Sequence, residues 1–207
     1  MIVSEIVTRV QRQFGDEASI QITEADVIRW INDAQRDIAL NNGLLQTRAT
    51  ANIVAGDATY TLPPDILTIH SVRFNGLRLR AVSIQEAETQ IDNLAESGTP
   101  VMFWLWSVKN LQVYPVPTAP ITDGLHIIYS RQPVAVTLAA DTPELPTQYH
   151  NRIVEYCLQQ AYELDENWQA ASQKQQQFTD GVTRLKADEE WGARDFYPSI
   201  TSLPERW

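Results

Sequence analysis

The side chains that could do chemistry in this sequence are few and far apart. Its three histidines, His70, His126 and His150, fall at no HxH or HExxH spacing, the patterns that set two imidazoles on one metal. His70 and His126 sit in strand-like alternation, where an imidazole is an ordinary sheet-face residue. His150 has the best position for general acid–base work, because Asp141 and Glu144 precede it; the plainer reading is a side chain beside a helix N-terminus. The single cysteine, Cys157, cannot form an intrachain disulfide, and its apolar helical setting suits a buried structural thiol better than a nucleophile. Asp188, Glu189 and Glu190 close a helix and read as a solvated charge run. Trp104 and Trp106 alternate on one strand and so are expected on one face, to stack on a sugar or base or to fill a core or interface. No GxSxG, P-loop or GxGxxG segment is present. The sequence predicts no catalytic site, no metal and no cofactor.

Charge narrows the partners. Twenty-six Asp and Glu face sixteen Lys and Arg, a formal net charge of −10, and the basic residues are scattered rather than gathered in a stripe. That balance excludes a protein whose task is to grip nucleic-acid phosphates or an anionic membrane. No apolar run reaches membrane-spanning length, and MIVSEIVTRV lacks the basic start and long apolar stretch of a signal peptide. A reducing cytoplasm is the expected place of synthesis. With 43% apolar residues over 207 positions, the chain can bury one large core or two smaller ones.

The elements follow from periodicity. Val3, Ile6, Val7, Val10 and Phe14 keep helical spacing, and Gly15 stands where a helix end favours a left-handed residue. A second helix opens at Thr23 with Asp26 three residues on, a weak capping box. It runs on Val27, Ile31, Ala34 and Ile38, widened by Trp30, to Asn42-Gly43. These two helices are expected to pair antiparallel.

From about residue 47 the period becomes two. Residues 51–54 and 58–62 flank Gly56-Asp57 and predict a hairpin; residues 66–74 and 77–81 flank Asn75-Gly76 and predict another. Ser83 and Glu86 cap a short helix to about Leu94, which Gly98-Thr-Pro100 ends. Strands follow at 101–106, 111–114 and 125–131. The middle of the chain thus predicts about seven antiparallel strands.

Past Asp141–Pro146 a long helix buries Tyr149, Ile153, Tyr156, Cys157, Ala161 and Leu164. A last helix opens near Asn167 with Trp168, Ala171, Gln175, Phe178, Val182 and Leu185 on one face. The fold class is α+β. A four-helix bundle-like domain is built from the N- and C-terminal helix pairs (1–46 and 145–190), packed on Trp30, Ile31, Ile38, Ile153, Cys157, Phe178 and Val182. An antiparallel β-domain with one short helix (47–144) is inserted between them. After Trp191 periodicity stops, leaving an extended tail (191–207) too aromatic for a solvated one: Trp191, Phe196, Tyr197, Ile200, Leu203, Trp207.

In order along nearly the whole chain, several pieces resemble the head-to-tail adaptors of tailed phages, connectors of the tail-tube A type. They are IRWINDAQRDIALN (28–41), the hairpin ending Tyr60-Thr-Leu-Pro63 with Asp65-Ile-Leu67, Gly98-Thr-Pro100, Tyr114-Pro-Val-Pro117 and Tyr129–Pro133. Most specific is Asp141-Thr-Pro-Glu-Leu-Pro-Thr-Gln-Tyr-His150 leading into residues 153–162. The resemblance implies a homo-oligomeric ring of twelve subunits beneath the portal protein, in the neck of the virion. Genomic DNA would pass through the lumen without specific binding, and the tail or nozzle protein would sit on the other side. It implies that the C-terminal extension docks on the portal, so Trp191, Phe196, Tyr197, Pro198, Ile200, Leu203 and Trp207 would be the portal-docking residues, unless the tail folds back on its own helices. Two other readings stay open: another neck or tail-completion ring protein, and a carbohydrate-binding surface module built on Trp104 and Trp106.

Overall fold

The computed structural model describes residues 1–107 and 109–196. Of the residues expected in the docking tail, Tyr197, Pro198, Ile200, Leu203 and Trp207 lie outside the described residues. The fold is α+β, and the chain divides into two compact units: residues 1–38 with the chain from Pro133 onward, and residues 39–132.

The first unit is helical. Helix α1 (Val3–Phe14) buries Val3, Ile6, Val7 and Val10 and ends on Gly15 at φ 93°, the left-handed cap its sequence predicts. Helix α2 (Glu24–Asn42) opens on the reciprocal Thr23–Asp26 box: the Asp26 amide donates to Thr23 Oγ1 at 3.2 Å, and the Thr23 amide to Asp26 Oδ2 at 3.4 Å. A short 3₁₀ turn (Thr147–Tyr149) leads into α4 (His150–Leu164), and α5 (Trp168–Phe196) follows after a three-residue turn. Trp30, Ile31, Ile38, Ile153, Cys157, Phe178 and Val182 are all buried.

The helices do not pair as expected. Helix α1 packs chiefly on α4 rather than on α2, and α4 packs along α5. The ring of Phe14 meets Tyr162 of α4 at 5.4 Å, and Tyr156 of α4 meets Phe178 of α5 edge-on at 5.3 Å. Helix α4 is therefore the central element, because its apolar residues, unlike those of α1, spread around more than one face. Two residues assigned to the inner faces lie outside: Leu164 and Trp168 are 62% and 66% exposed, where the α4–α5 turn carries them past the core. Nor does the helix stop at Trp191, since α5 runs to Phe196.

The second unit is built on two four-stranded sheets. Strands are β1 (Gln46–Ile53), β2 (Thr59–Thr61), β3 (Ile66–Phe74), β4 (Leu77–Arg78), β5 (Arg80–Ala81), β6 (Ser97–Gly98), β7 (Met102–Ser107), β8 (Asn110–Tyr114), β9 (Val116–Pro117) and β10 (Ile121–Arg131). One sheet runs β1-β10-β3-β4, the other β2-β8-β7-β5, and β6 and β9 make a two-stranded ribbon. The Asn75-Gly76 hairpin is present, with φ of 45° and 83° at the turn and Phe74 opposite Leu77.

The other expected hairpin is not. A turn does form at Gly56 (φ 81°), but β1 pairs with β10 and β2 with β8, so the two strands part into different sheets. The sheets are antiparallel except where β5 meets β7, and the ribbon is parallel. Helix α3 (Ile84–Gln90) begins on Ser83, whose Oγ accepts the Glu86 amide at 3.1 Å, and it ends four residues before Leu94. The core between the sheets holds Tyr60, Leu62, Val72, Phe74, Phe103, Leu111, Val113, Leu125 and Ile127.

Candidate functional site

The candidate His150 follows the strap that leaves the β-unit, residues 133–146, and the polar groups that meet this strap are spent on structure. Asn32 of α2 acts on Val136 as a neighbouring strand would: its Oδ1 accepts the Val136 amide at 2.8 Å and its Nδ2 donates to the Val136 carbonyl at 3.0 Å. One turn further along α2, the fully buried Gln35 accepts the Glu144 amide on Oε1 at 2.9 Å. Asp141 folds the strap on itself, with Oδ2 taking the amides of Thr137 and Leu138, both at 2.8 Å. Those two bonds hold its carboxyl below the usual carboxylate range. The strap's carbonyls then receive the chain start, Val3 N–H to Asp141 at 2.8 Å and Ser4 N–H to Ala139 at 2.9 Å.

His150 closes this arrangement. Its Nδ1 lies 2.8 Å from the amino group of Met1, and its Nε2 lies 2.9 Å from the carbonyl oxygen of Leu145. An ammonium can only donate and a carbonyl can only accept, so the ring is neutral with its proton on Nε2. Burial, then the adjacent terminal charge, push its pKa below 6.5, against the pull of the Leu145 and Pro143 carbonyls. Asp141 and Glu144 are not its partners, and the acid–base reading loses its basis: both ring nitrogens are committed to the fold.

The other candidate residues resolve in the same direction. His70 Nε2 donates to Ser130 Oγ at 2.7 Å, because that hydroxyl gives its own proton to the Gly43 carbonyl at 2.8 Å. His126 Nδ1 lies 2.8 Å from Arg48 Nη2 across the β1–β10 pair. Cys157 is fully buried, and burial pushes its thiol pKa far above the ordinary range. Trp104 and Trp106 do not form a shared platform. Trp104 is buried with Ala87 and Ile91, whereas Trp106 falls at the irregularity between Leu105 and Ser107 and is 56% exposed. Among the described residues no group of three or more His, Cys, Asp and Glu could hold a metal ion, and no helix is long and apolar enough to cross a membrane.

Sequence reasoning missed Asn32 and Gln35 as the strap's anchors. It also missed Asp16, whose carboxylate takes the amides of Ile20, Gln21 and Ile22 at 2.8–2.9 Å and is held below its usual pKa by them. The signal was available for Asp16 alone, as an acidic residue directly after a helix-ending glycine. The clamped loop exposes Ile20 at 81%, and Leu164, which lines one cleft with Gln21 and Ile22 of that loop, is also bare. These buried polar groups are joined to backbone rather than aimed into a cleft. The chain belongs to the SU10 adaptor protein family, whose model matches residues 1–198; these are structural adaptor proteins of phages. Trp191, Phe196, Tyr197 and Pro198 lie inside that match, and Ile200, Leu203 and Trp207 beyond it. No curated protein matches the chain.

Proposed function

We propose that this protein is the head-to-tail adaptor of a tailed phage. It forms a ring of twelve subunits beneath the portal, docks on the portal through the segment that follows α5, extends the DNA channel and seats the next tail component. The observation that carries the reading is the family match over residues 1–198, which covers every described element. A 29-residue helix, α5, leads into the docking segment, and side chains tethered on several subunits of one ring dock together with an avidity that no single segment has. Portal-docking roles fall to Trp191 and Phe196 at the end of that helix and to Tyr197, Pro198, Ile200, Leu203 and Trp207 after it.

Charge supports the channel role. The helical unit's share of the chain, residues 1–38 and 133–207, has nineteen acidic against ten basic residues, while residues 39–132 have seven against six. A ring that turns its helical units toward the lumen presents like charge to DNA phosphates and keeps the genome from sticking during packaging and ejection.

Native mass spectrometry of the chain, alone and mixed with the cognate portal ring, tests the docking. The expected result is a defined multimer on the portal that is lost when residues 197–207 are deleted and weakened by Trp191→Ala. Portal binding that survives the deletion would move docking elsewhere on the chain, and no binding by the full chain would sink the reading.

A further inference from the structure

The β-unit contains a cleft of about 550 Å³ whose walls include the consecutive residues Leu67–Ser71 of β3 and Phe103–Leu105 of β7. Successive side chains on a strand point to opposite faces, so a cleft lined by consecutive residues runs along strand edges rather than over a sheet face. The pairing agrees. Strand β10 covers one edge of β3, but on the other side β4 pairs only with Arg73 and Phe74, and the Leu79 amide reaches Val72. Strand β8 covers one edge of β7, but on the other side β5 pairs only with Met102 and Phe103. Two open strand edges, one from each sheet, therefore face a single slot.

We infer that this slot accepts an extended strand of the next tail component by edge addition. The proposal rests on the adaptor reading above. Main-chain groups along Leu67–Ser71, a stretch of roughly 16 Å at ~3.3 Å per residue, supply the ladder for a segment of about five residues. The walls supply pockets for apolar side chains: Leu79, Phe103 and Trp104 are buried at the base, and Ile84 and Leu105 are 37% and 48% exposed.

Arg78 sets the polarity of the occupant. It lines the slot, it is exposed, and its side chain makes no hydrogen bond or ion pair among the described residues, so a carboxylate on the incoming strand would complete it. The outer edge of the first sheet contrasts with this. Strand β1 carries Arg48 among threonines and glutamine, the kind of polar edge that discourages pairing. The portal-docking segment proposed above belongs to the helical unit's share of the chain and the slot to the β-unit's, so the proposal assigns the slot to the other neighbour, the tail component.

Hydrogen–deuterium exchange of the full chain, free and bound to the cognate tail protein, tests this. The expected result is at least tenfold slower exchange at residues 67–71 and 104–107 in the complex. Leu105→Lys and Arg78→Glu should each weaken binding at least tenfold, while Leu77→Lys, an exposed residue outside the slot, leaves it unchanged. Thermal unfolding of each variant confirms that it is folded. A tail protein that binds with unchanged exchange at both edges overturns the slot and leaves the adaptor reading standing. Protection that arises when the chain alone self-associates, or on the portal, assigns the slot to those occupants and overturns the proposal. Absence of any tail-protein binding by the unaltered chain defeats the adaptor platform and the slot with it.

Discussion

Arg152 on α4 lies in the notch that Gly181 leaves in α5. Its Nη1 donates to Glu155 Oε2 at 2.7 Å and to the Gln177 carbonyl at 3.3 Å. A methyl group at position 181 would overlap the guanidinium. This explains a glycine in mid-helix, where it costs about 1 kcal/mol relative to alanine.

The pair makes a sharp prediction. Gly181→Ala should destabilise the chain by about 1 kcal/mol, because the gain in helix propensity is outweighed by displacing Arg152 from Glu155, a carboxylate whose pKa burial already raises. In an Arg152→Ala background the same change should stabilise by about 1 kcal/mol. Denaturant midpoints of the four proteins read both signs, and a destabilisation of equal size in each background would show that the two residues do not meet.

His150 predicts a pH dependence. Folded, the ring is neutral with a pKa below 6.5, so the unfolded chain takes up its proton more readily. The stability His150 contributes is complete above pH 6.5. It declines as the pH falls from 6.5 toward the lower folded value, by up to about 1.4 kcal/mol per pH unit. Protonation would set an imidazolium against the Met1 ammonium. His150→Ala should cost about 2 kcal/mol at pH 8, by stranding the Met1 amine and the Leu145 carbonyl, and should flatten the loss between pH 6.5 and 5. Urea midpoints across that range check it; an unchanged slope in the variant would move the titration to another group.

What the sequence displayed, and what it hid, follows the range of the interactions. Ser83, the Asn75-Gly76 turn, the Thr23–Asp26 box and Gly15 were legible because each acts within four residues of itself. The pairing of β1 with β10 spans some 75 residues, and nothing local at Gly56 distinguishes a hairpin from a turn between two sheets. Trp168 and Leu164 fit a helical stripe that simply outruns the core. Asn32 and Gln35 fall outside the apolar stripe of their helix, and polar residues there carry no mark of a distant backbone partner.

Cys157 is predicted to be inert. The side chain is fully buried and its thiol is held protonated by that burial, so alkylation by iodoacetamide at pH 8 requires opening of the helical unit. Labelling in native buffer should proceed only at the rate of that opening and should rise in urea in parallel with unfolding. Fast labelling without urea would show that α4 is open to solvent at this position.

Asn32 and Gln35 should behave as one latch. Asn32→Ala removes both bonds to Val136 and should cost about 1–3 kcal/mol, and Gln35→Ala frees the Glu144 amide at a cost of about 1–2 kcal/mol. Gln35 Nε2 also lies 3.5 Å from Asn32 Oδ1, and both side chains hold the same strap, so losing one loosens what the other grips. The double variant should therefore fall short of the sum of the singles by at least ~0.5 kcal/mol. Asn32→Asp separates the two bonds. It keeps the acceptor for the Val136 amide but sets a carboxylate oxygen against the Val136 carbonyl, so it should be no more stable than Asn32→Ala above pH 6 and should recover as the pH falls toward 4, where the protonated acid can donate. Denaturant midpoints at pH 7 and pH 4.5 read the difference. Recovery at low pH in Asn32→Asp but not in Asn32→Ala assigns the Val136 carbonyl bond to the latch, and equal behaviour of the two variants removes it.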